Sequence, residues 1–155
     1  MQMGEMTRDL FRRLRLYVGV MLGFGLLSFL SFAGGVPILM APLAASACIL
    51  FAVPNSAFAR PKNVILGHAL CAAIGVICGN CLGVDWLSNT FCVGLSVALM
   101  DVTDTMHPPA AATSLLALTT DQGYRFIFTP VALGSCVLVL AVGLVKFSLK
   151  DRNTT

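Results

Sequence analysis

Charged residues are scarce in this chain of 155 residues. Lys, Arg, Asp and Glu together make up 11% of the sequence, whereas hydrophobic residues make up 57%. A soluble domain has a charged fraction of about a quarter. The composition therefore excludes an ordinary soluble domain and predicts an all-α integral membrane protein, with a single transmembrane domain over residues 1–155 and the lipid bilayer as its surroundings.

The motifs of catalysis and metal binding are also missing. The sequence has two histidines and contains no nucleophile elbow, phosphate-binding loop or cofactor motif. Cys78 and Cys81 have the spacing of a metal pair, but no second pair follows, and the six cysteines lie in or beside apolar runs. We therefore expect no enzyme activity, no cofactor, no metal and no disulfide.

Basic residues are concentrated near the two ends of the chain and give a net charge of +3. By the positive-inside rule, this distribution predicts that both termini are cytoplasmic, with an even number of crossings of the cell (inner) membrane. Nucleic-acid binding is not expected, because these residues flank membrane helices without interleaved aromatics. The residues concerned are Arg8, Arg12, Arg13, Arg15, Lys146, Lys150 and Arg152.

Apolar runs divide the chain into long and short segments. The longer runs cover residues 16–33, 64–82, 89–100 and 126–145, and two shorter ones cover residues 41–53 and 109–118. Crossing a bilayer takes roughly 20 residues, so the first, second and fourth of the longer runs are predicted to span by themselves. The first run lacks a convincing cleavage site, and we expect it to be retained as the first helix.

Prolines stand at the starts of both short runs. Pro42 follows Ala41 in one, and Pro108 and Pro109 open the other. Proline suits the first turn of a helix and opposes a helix before it, so each helix should begin inside the apolar region. The first N–H groups of a helix carry partial positive charge. Two such starts meeting in the bilayer would form an anion site without a lysine or arginine.

The chain resembles itself when it is shifted by 66 positions. The shift superposes identical residues around the two prolines: Met40 on Met106, Pro42 on Pro108, Ala44 on Ala110, Ala45 on Ala111 and Leu50 on Leu116. We therefore predict two repeats, residues 16–83 and 84–149, each built of a long helix, a Pro-started short helix and a long helix.

Two arrangements of these helices are open. If the short helices complete crossings, there are six passes and the repeats are inverted; if they re-enter the face they left, there are four spans plus two re-entrant helices. Six passes place Arg60 and Lys62 in the cytoplasm but Arg125 outside, whereas four spans place all three outside. We favour the inverted arrangement of six passes.

Polar residues near the short helices are the candidates for function. His107, at the helix N-cap, either ties down the turn or lines and gates a site and carries a proton. His68 and Asp101 are further gating or proton-linked candidates, with Asp101 a potential partner of either histidine, whereas Asp104 is expected in an aqueous vestibule. The predicted solute-binding residues are Ala44, Ala45, Ser46, His107, Pro108, Pro109, Ala110, Ala111, Thr113 and Ser114.

The chain resembles the HPP family of integral membrane proteins over almost its whole length. The resemblance is carried by His107-Pro108-Pro109-Ala110 with Thr113, by Pro54-Asn55-Ser56, by Arg60-Pro61-Lys62-Asn63 and by Gly67-His68. Some members in cyanobacteria and chloroplasts are associated with nitrite transport, and many have no assigned role. Relatives often have glycine in place of Ala44 and Ala111, and the added methyl groups narrow the approach to the backbone at the two helix starts. Relatives also often have glutamine in place of Arg60.

These observations together predict a protein that transports a small inorganic monovalent anion, and the resemblance supplies nitrite as the candidate. A passive channel or a carrier of another small solute is the alternative within transport. A membrane sensor or assembly module that transports nothing is the alternative from another class. Glycines four residues apart, such as Gly75 and Gly79, permit close helix packing and are compatible with a homo-oligomer.

Overall fold

The computed structural model describes residues 3–35, 38 and 40–150, so Arg152 lies outside the described residues. Six α-helices account for most of this part of the chain, and none of it is a strand, which confirms the predicted all-α class. The helices are α1 (Met3–Ala33), α2 (Ala41–Ala52), α3 (Pro61–Leu82), α4 (Trp86–Val102), α5 (Pro108–Thr119) and α6 (Leu133–Lys150).

Helix lengths follow the division into long and short segments. Leu16–Ala33, Pro61–Leu82 and Ile127–Phe147 are long and apolar enough to cross a membrane, as predicted for the first, second and fourth apolar runs. The helices α2 and α5 have 12 residues each. At 1.5 Å per residue such a helix is about 18 Å long, which is short of a hydrocarbon core of roughly 30 Å.

Proline and capping residues set the helix starts. Met40 and His107 are extended, and the prolines that follow them occupy the first turns of α2 and α5. At the start of α4, the Asp85 carboxylate accepts a hydrogen bond from the Ser88 N–H at 2.7 Å. The short helices therefore begin where the sequence predicts.

The segment before α6 is irregular. Residues Ile127–Ala132 wind more loosely than an α-helix, and Thr129 has extended dihedral angles. Pro130 has no N–H to donate and opposes a regular helix at this point. The apolar run at residues 126–145 is therefore an irregular segment followed by a helix rather than one uniform helix.

Contacts between α1, α2 and α6 fix their relative directions. Phe51, near the end of α2, lies against Gly19 and Gly23 of α1, so α1 and α2 form an antiparallel hairpin. Gly134, at the start of α6, lies against Leu43 at the start of α2, whereas Val142 approaches Gly23. The helix α6 therefore runs parallel to α2 and antiparallel to α1.

Glycines of α3 give the direction of α5. Gly67 lies beside His107, and Gly79 lies beside Leu118, so α3 and α5 are parallel. The helix α4 runs antiparallel to α3, because Cys71 clusters with Met100 whereas Cys78 clusters with Cys92.

The short helices α2 and α5 pass each other in opposite directions. Pro42 and Ala45 of α2 face Leu115 of α5, and Ser46 reaches back to His107 at the start of α5. Taken with the other contacts, this makes successive helices alternate in direction, and α1, α2 and α3 oppose α4, α5 and α6 respectively. The directions are those of the inverted arrangement of six passes, since four spans would make α1 and α3 antiparallel.

Packing partners also follow the inverted pattern. The helix α1 packs on α2 and α6, and α4 packs on the corresponding α5 and α3. Gly67 of α3 lies against Thr105 and Ala110 at the start of α5. In the same way, Gly134 of α6 lies against Ile38 and Leu43 at the start of α2. These equivalences support repeats over residues 16–83 and 84–149, whose boundaries stay a prediction.

The closest helix contact depends on Gly75. A Cβ atom built at Gly75 would collide with the Ser114 carbonyl and would lie 2.7 Å from the Ala117 Cβ, and neither group can move aside as a flexible side chain could. We expect Gly75→Ala to destabilise the protein by about 1–3 kcal/mol through overpacking. Thermal unfolding in detergent measures this, with Gly94→Ala as control because nothing lies within 4 Å of the added atom there. Equal stability of the two variants would contradict this packing.

The helix directions also predict sidedness. In the arrangement of six passes Arg60 and Arg125 lie on opposite sides of the membrane, whereas four spans would put them on the same side. We expect Arg60→Cys and Arg125→Cys variants to react with a membrane-impermeant maleimide from opposite sides of intact vesicles. Both residues are exposed, so labelling needs no unfolding. Labelling of both from one side would overturn the arrangement.

Candidate solute site

Four polar side chains meet in the interior of the helix bundle. Ser46 comes from α2, His68 from α3, His107 from the N-cap of α5 and Thr113 from α5. All four have 0% exposed surface. We call these residues the histidine cluster. His68 lies seven residues after Pro61, so the cluster is about 10 Å in from the start of α3.

Hydrogen bonds connect the cluster into one continuous chain. The Ser46 Oγ lies 2.8 Å from the Nε2 atom of His68 and 2.8 Å from the Nε2 atom of His107. The His68 Nδ1 lies 2.7 Å from the Thr113 Oγ1, and the His107 Nδ1 lies 2.7 Å from the Phe58 carbonyl oxygen. All four ring nitrogens therefore have a protein partner.

The Phe58 carbonyl sets the direction of every bond in the chain. A carbonyl oxygen can only accept, so His107 must carry its proton on Nδ1. When His107 is neutral, its Nε2 is bare and accepts from the Ser46 hydroxyl. Because Ser46 has only one proton, its oxygen must then accept from the Nε2–H of His68.

The remaining link then follows for His68 and Thr113. A neutral His68 that donates through Nε2 has a bare Nδ1, which accepts from the Thr113 hydroxyl. The two histidines are therefore opposite tautomers, and all the donors point from Thr113 towards Phe58. Every bond in the chain is satisfied with both rings neutral.

Ser46 has a further acceptor within reach. Its Oγ lies 3.0 Å from the Pro42 carbonyl oxygen, one helical turn earlier in α2. The single hydroxyl proton can point at His107 or at Pro42, but not at both. The Pro42 carbonyl also connects the start of α2, through Ser46, with the start of α5.

Asn63 and a short 3₁₀ turn, Ala57–Ala59, hold His107 in position. The Asn63 Nδ2 donates to the Ala57 carbonyl at 3.0 Å and to the Met106 carbonyl at 3.2 Å. Asn63 is 3% exposed, and its Oδ1 has no partner among the described residues. The supporting roles of Asn63 and Phe58 were not predicted; an asparagine five residues before His68, at the start of an apolar run, was the available signal for Asn63.

The acidic residues lie outside the cluster. Asp104 is exposed and forms an ion pair with Lys62 at 3.1 Å, and its location in an aqueous vestibule stays a prediction. Asp101 is exposed too, and it does not bond to either ring, because all four ring nitrogens have other partners. The predicted partnership of Asp101 with His107 or His68 is therefore not formed in this structure.

The helix starts have fewer open amides than the sequence analysis expected. Pro42, Pro108 and Pro109 have no N–H. The Ala110 N–H donates to the His107 carbonyl at 2.8 Å, and the Leu43 N–H donates to the Met40 carbonyl at 3.1 Å. The polar groups that the structure brings together here are therefore imidazole and hydroxyl groups more than free backbone donors.

The other predicted site residues divide by burial. Pro109, Ala110 and Ser114 are buried, and the Ser114 hydroxyl donates to the Ala111 carbonyl at 2.8 Å. Ala44 and Ala111 are partly buried, whereas Ala45 and Pro108 are exposed. Ala45 lines an apolar groove of about 350 Å³ between α2 and α5. In the described part of the chain, no three His, Cys, Asp or Glu residues are placed to hold a metal ion.

The histidine cluster takes residues from both repeats, and the positions related to it by the repeat carry no polar side chains. Under the shift by 66 positions, the residues that correspond to Ser46, His68, His107 and Thr113 are all small and apolar. They are Ala112, Gly134, Ala41 and Ala47. Of these, Ala47 and Gly134 are buried, whereas Ala41 and Ala112 are exposed and line the groove between α2 and α5.

The tautomers can be observed directly, since the sequence contains two histidines. We expect the imidazole ¹⁵N spectrum of histidine-labelled protein at neutral pH to show one Nδ1–H ring and one Nε2–H ring. The Ser46→Ala variant removes the bridge between the rings and should shift the Nε2 resonances of both. Two rings of the same tautomer in the native protein would contradict the chain of donors.

Comparison with known proteins gives a consistent picture. Two proteins from Dictyostelium discoideum, each named as a transmembrane protein, are 33% identical over 124 residues and 34% identical over 123 residues. The matches cover 75% and 74% of this chain but 44% and 40% of those relatives, so the chain spans less than half of their length. No solved structure matches.

Residues 6–154 match the family described as HPP, transmembrane region. The match includes all four residues of the histidine cluster and both Pro-started helices. The chain therefore belongs to the HPP family of transmembrane proteins.

Proposed function

We propose that this protein transports a small monovalent anion, with nitrite as the first candidate, across the cell membrane, with both termini cytoplasmic. The observation that carries the proposal is the buried histidine cluster between α2, α3 and α5. Ionisable side chains inside membrane segments are costly, and they commonly mark a path for a solute or a proton.

The apolar counterpart of the cluster argues against a purely structural role. Ala41, Ala47, Ala112 and Gly134 occupy the positions related to the cluster by the repeat, and Ala47 and Gly134 are buried. Helices arranged in this way can therefore pack there without hydrogen-bonding side chains. Burying polar groups costs free energy unless each is paired, so the histidines and hydroxyls need a reason beyond packing.

The chemistry of the cluster suits a small anion. Hydroxyl and imidazole N–H groups can donate to an anion and replace part of its hydration shell. With 0% exposure, the cluster is closed in this structure, so a solute would enter only after the surrounding helices separate. The groove between α2 and α5 is lined by the small residues Ala45 and Ala112, which are next in sequence to Ser46 and Thr113. This supports the groove as the place where the helices separate to admit a solute.

A sensor or assembly module is the second candidate. It is favoured by the closure of the cluster, whose ring nitrogens are all paired within the protein. A module of this kind would use the cluster as a fixed tie between helices from the two halves. It would move no solute.

Uptake of nitrite into liposomes separates the candidates. We expect the purified protein to raise the initial rate of uptake above that of protein-free liposomes. The Ser46→Ala variant should lower this added rate about fivefold or more, because losing one buried partner costs about 1–3 kcal/mol. Ser135→Ala is the matched control, since Ser135 is equally buried in α6 and bonds only to the Ala132 carbonyl. It should retain uptake.

Two outcomes would count against the proposal. Equal loss in both serine variants would point to a general packing effect. No uptake of nitrite, nitrate or formate by a folded native protein would favour the sensor or assembly module.

A further inference from the structure

We propose that the histidine cluster binds one proton, at His107 Nε2, and that this proton crosses the membrane together with the anion. The inference rests on the proposed transport function and specifies how transport is driven. It is argued from the hydrogen-bond geometry of Ser46, which offers two places for one hydroxyl proton.

Ser46 can accommodate protonation of His107 without breaking the cluster. In the neutral cluster the Ser46 hydroxyl donates to the bare His107 Nε2. When a proton from water forms an N–H bond at Nε2, the hydroxyl turns to the Pro42 carbonyl, 3.0 Å away, and its oxygen accepts from both rings. The His107 Nδ1–H still donates to Phe58, so every group keeps a partner.

Protonation of His68 has no comparable second acceptor. A second proton on His68 would have to bind at Nδ1, which faces the Thr113 hydroxyl at 2.7 Å. The hydroxyl would then need another acceptor, and the described hydrogen bonds give it none. In addition, the two ring centres are 5.2 Å apart, so two buried positive charges would repel strongly. The geometry therefore assigns one proton to the pair.

No described ionisable group near the cluster bonds to a histidine ring and could bind the proton in place of His107. Lys62 is paired with Asp104 at the surface, and neither forms a hydrogen bond to a ring. Among the side chains that the structure describes, the other ionisable groups on the surrounding helices and on the approach to α3 are exposed charges or thiols. They are Arg60 before α3, Asp101 on α4, Lys146 on α6, and the cysteines Cys48, Cys71, Cys78, Cys81, Cys92 and Cys136.

Asn63 offers an acceptor for water beside the cluster. Its amide nitrogen holds the backbone of Ala57 and Met106, next in sequence to Phe58 and His107. Its Oδ1 is buried and has no partner among the described residues, and can accept from a water molecule. Because Lys62 precedes Asn63, the exposed Lys62–Asp104 pair lies on the same side, towards the chain termini. A proton reaching the cluster from that side has an acceptor on its way.

Charge balance couples the proton to the anion. A protonated cluster is a buried cation, which is costly without a counterion, and a buried anion has the same difficulty. Together they are neutral. Each ligand therefore strengthens binding of the other by the same factor, as linkage requires. Transport of one proton with one monovalent anion is electroneutral, so a proton gradient should drive it and a membrane potential should not.

Proteoliposomes with a trapped pH dye test the coupling. We expect external acid to raise the initial rate of nitrite uptake about tenfold per pH unit while the cluster remains largely unprotonated, with one proton entering per nitrite. A potassium potential set with valinomycin should leave the rate unchanged. Nitrous acid also crosses the lipid without the protein and brings nitrite to the same final distribution. We therefore compare initial rates after subtracting those of protein-free liposomes.

The variant His107→Gln separates coupling from structure. Glutamine retains a donor and an acceptor but cannot hold the proton, so uptake should lose its response to external acid, and any remaining uptake should respond to potential. Ser135→Ala should keep the native response. Native uptake that follows potential and ignores pH would overturn proton coupling while leaving anion transport standing.

Proton binding is tested separately from transport by imidazole ¹⁵N spectra of the native protein. We expect acidification to convert one of the two rings to the doubly protonated form while the other stays neutral, and Ser46→Ala to abolish this difference. Two rings that titrate together, or neither titrating while the protein stays folded, would overturn the inference. If uptake of nitrite, nitrate and formate is absent but one ring titrates, proton binding stands, and the proposed function and its coupling fall.

Discussion

The hydroxyl of Ser46 is the group on which the centre of this protein depends. One oxygen lies within 3.0 Å of the Pro42 carbonyl and of a ring nitrogen on each histidine. It thereby joins α2 to α3 and to the start of α5, and so connects the two halves of the chain. Hydrocarbon offers no water to replace a lost partner, and each of these bonds therefore restricts where the helices can lie.

Glycine makes this meeting of side chains possible. A Cβ atom on Gly67 would lie 2.9 Å from the Thr105 carbonyl and 3.3 Å from the His107 Cβ, so a larger residue would push the start of α5 away from α3. Gly75 permits the same close approach further along both helices. The 2.7 Å hydrogen bond between His68 and Thr113 requires this short distance between α3 and α5. The polar contacts of the cluster therefore depend on the close packing of the two backbones.

Much of the fold follows from local physics and was predictable. Prolines place the starts of α2 and α5, and the apolar runs give the three helices of spanning length. The sequence also contained the limit on amide donors, because Pro108 and Pro109 have no N–H to offer. The irregular segment before α6 was not predicted, although Pro130 within the apolar run was a visible sign of it.

Composition and proline placement alone determined a helical membrane protein with two interrupted segments, and the motif around His107 indicated its family. Only the tertiary structure decided that Ser46 bonds to residues 22 and 61 positions away, and that Asp101 stays at the surface. The physical reason is that local propensities set where a helix begins. Which side chains touch depends on the face that each helix turns inward and on how closely the backbones approach.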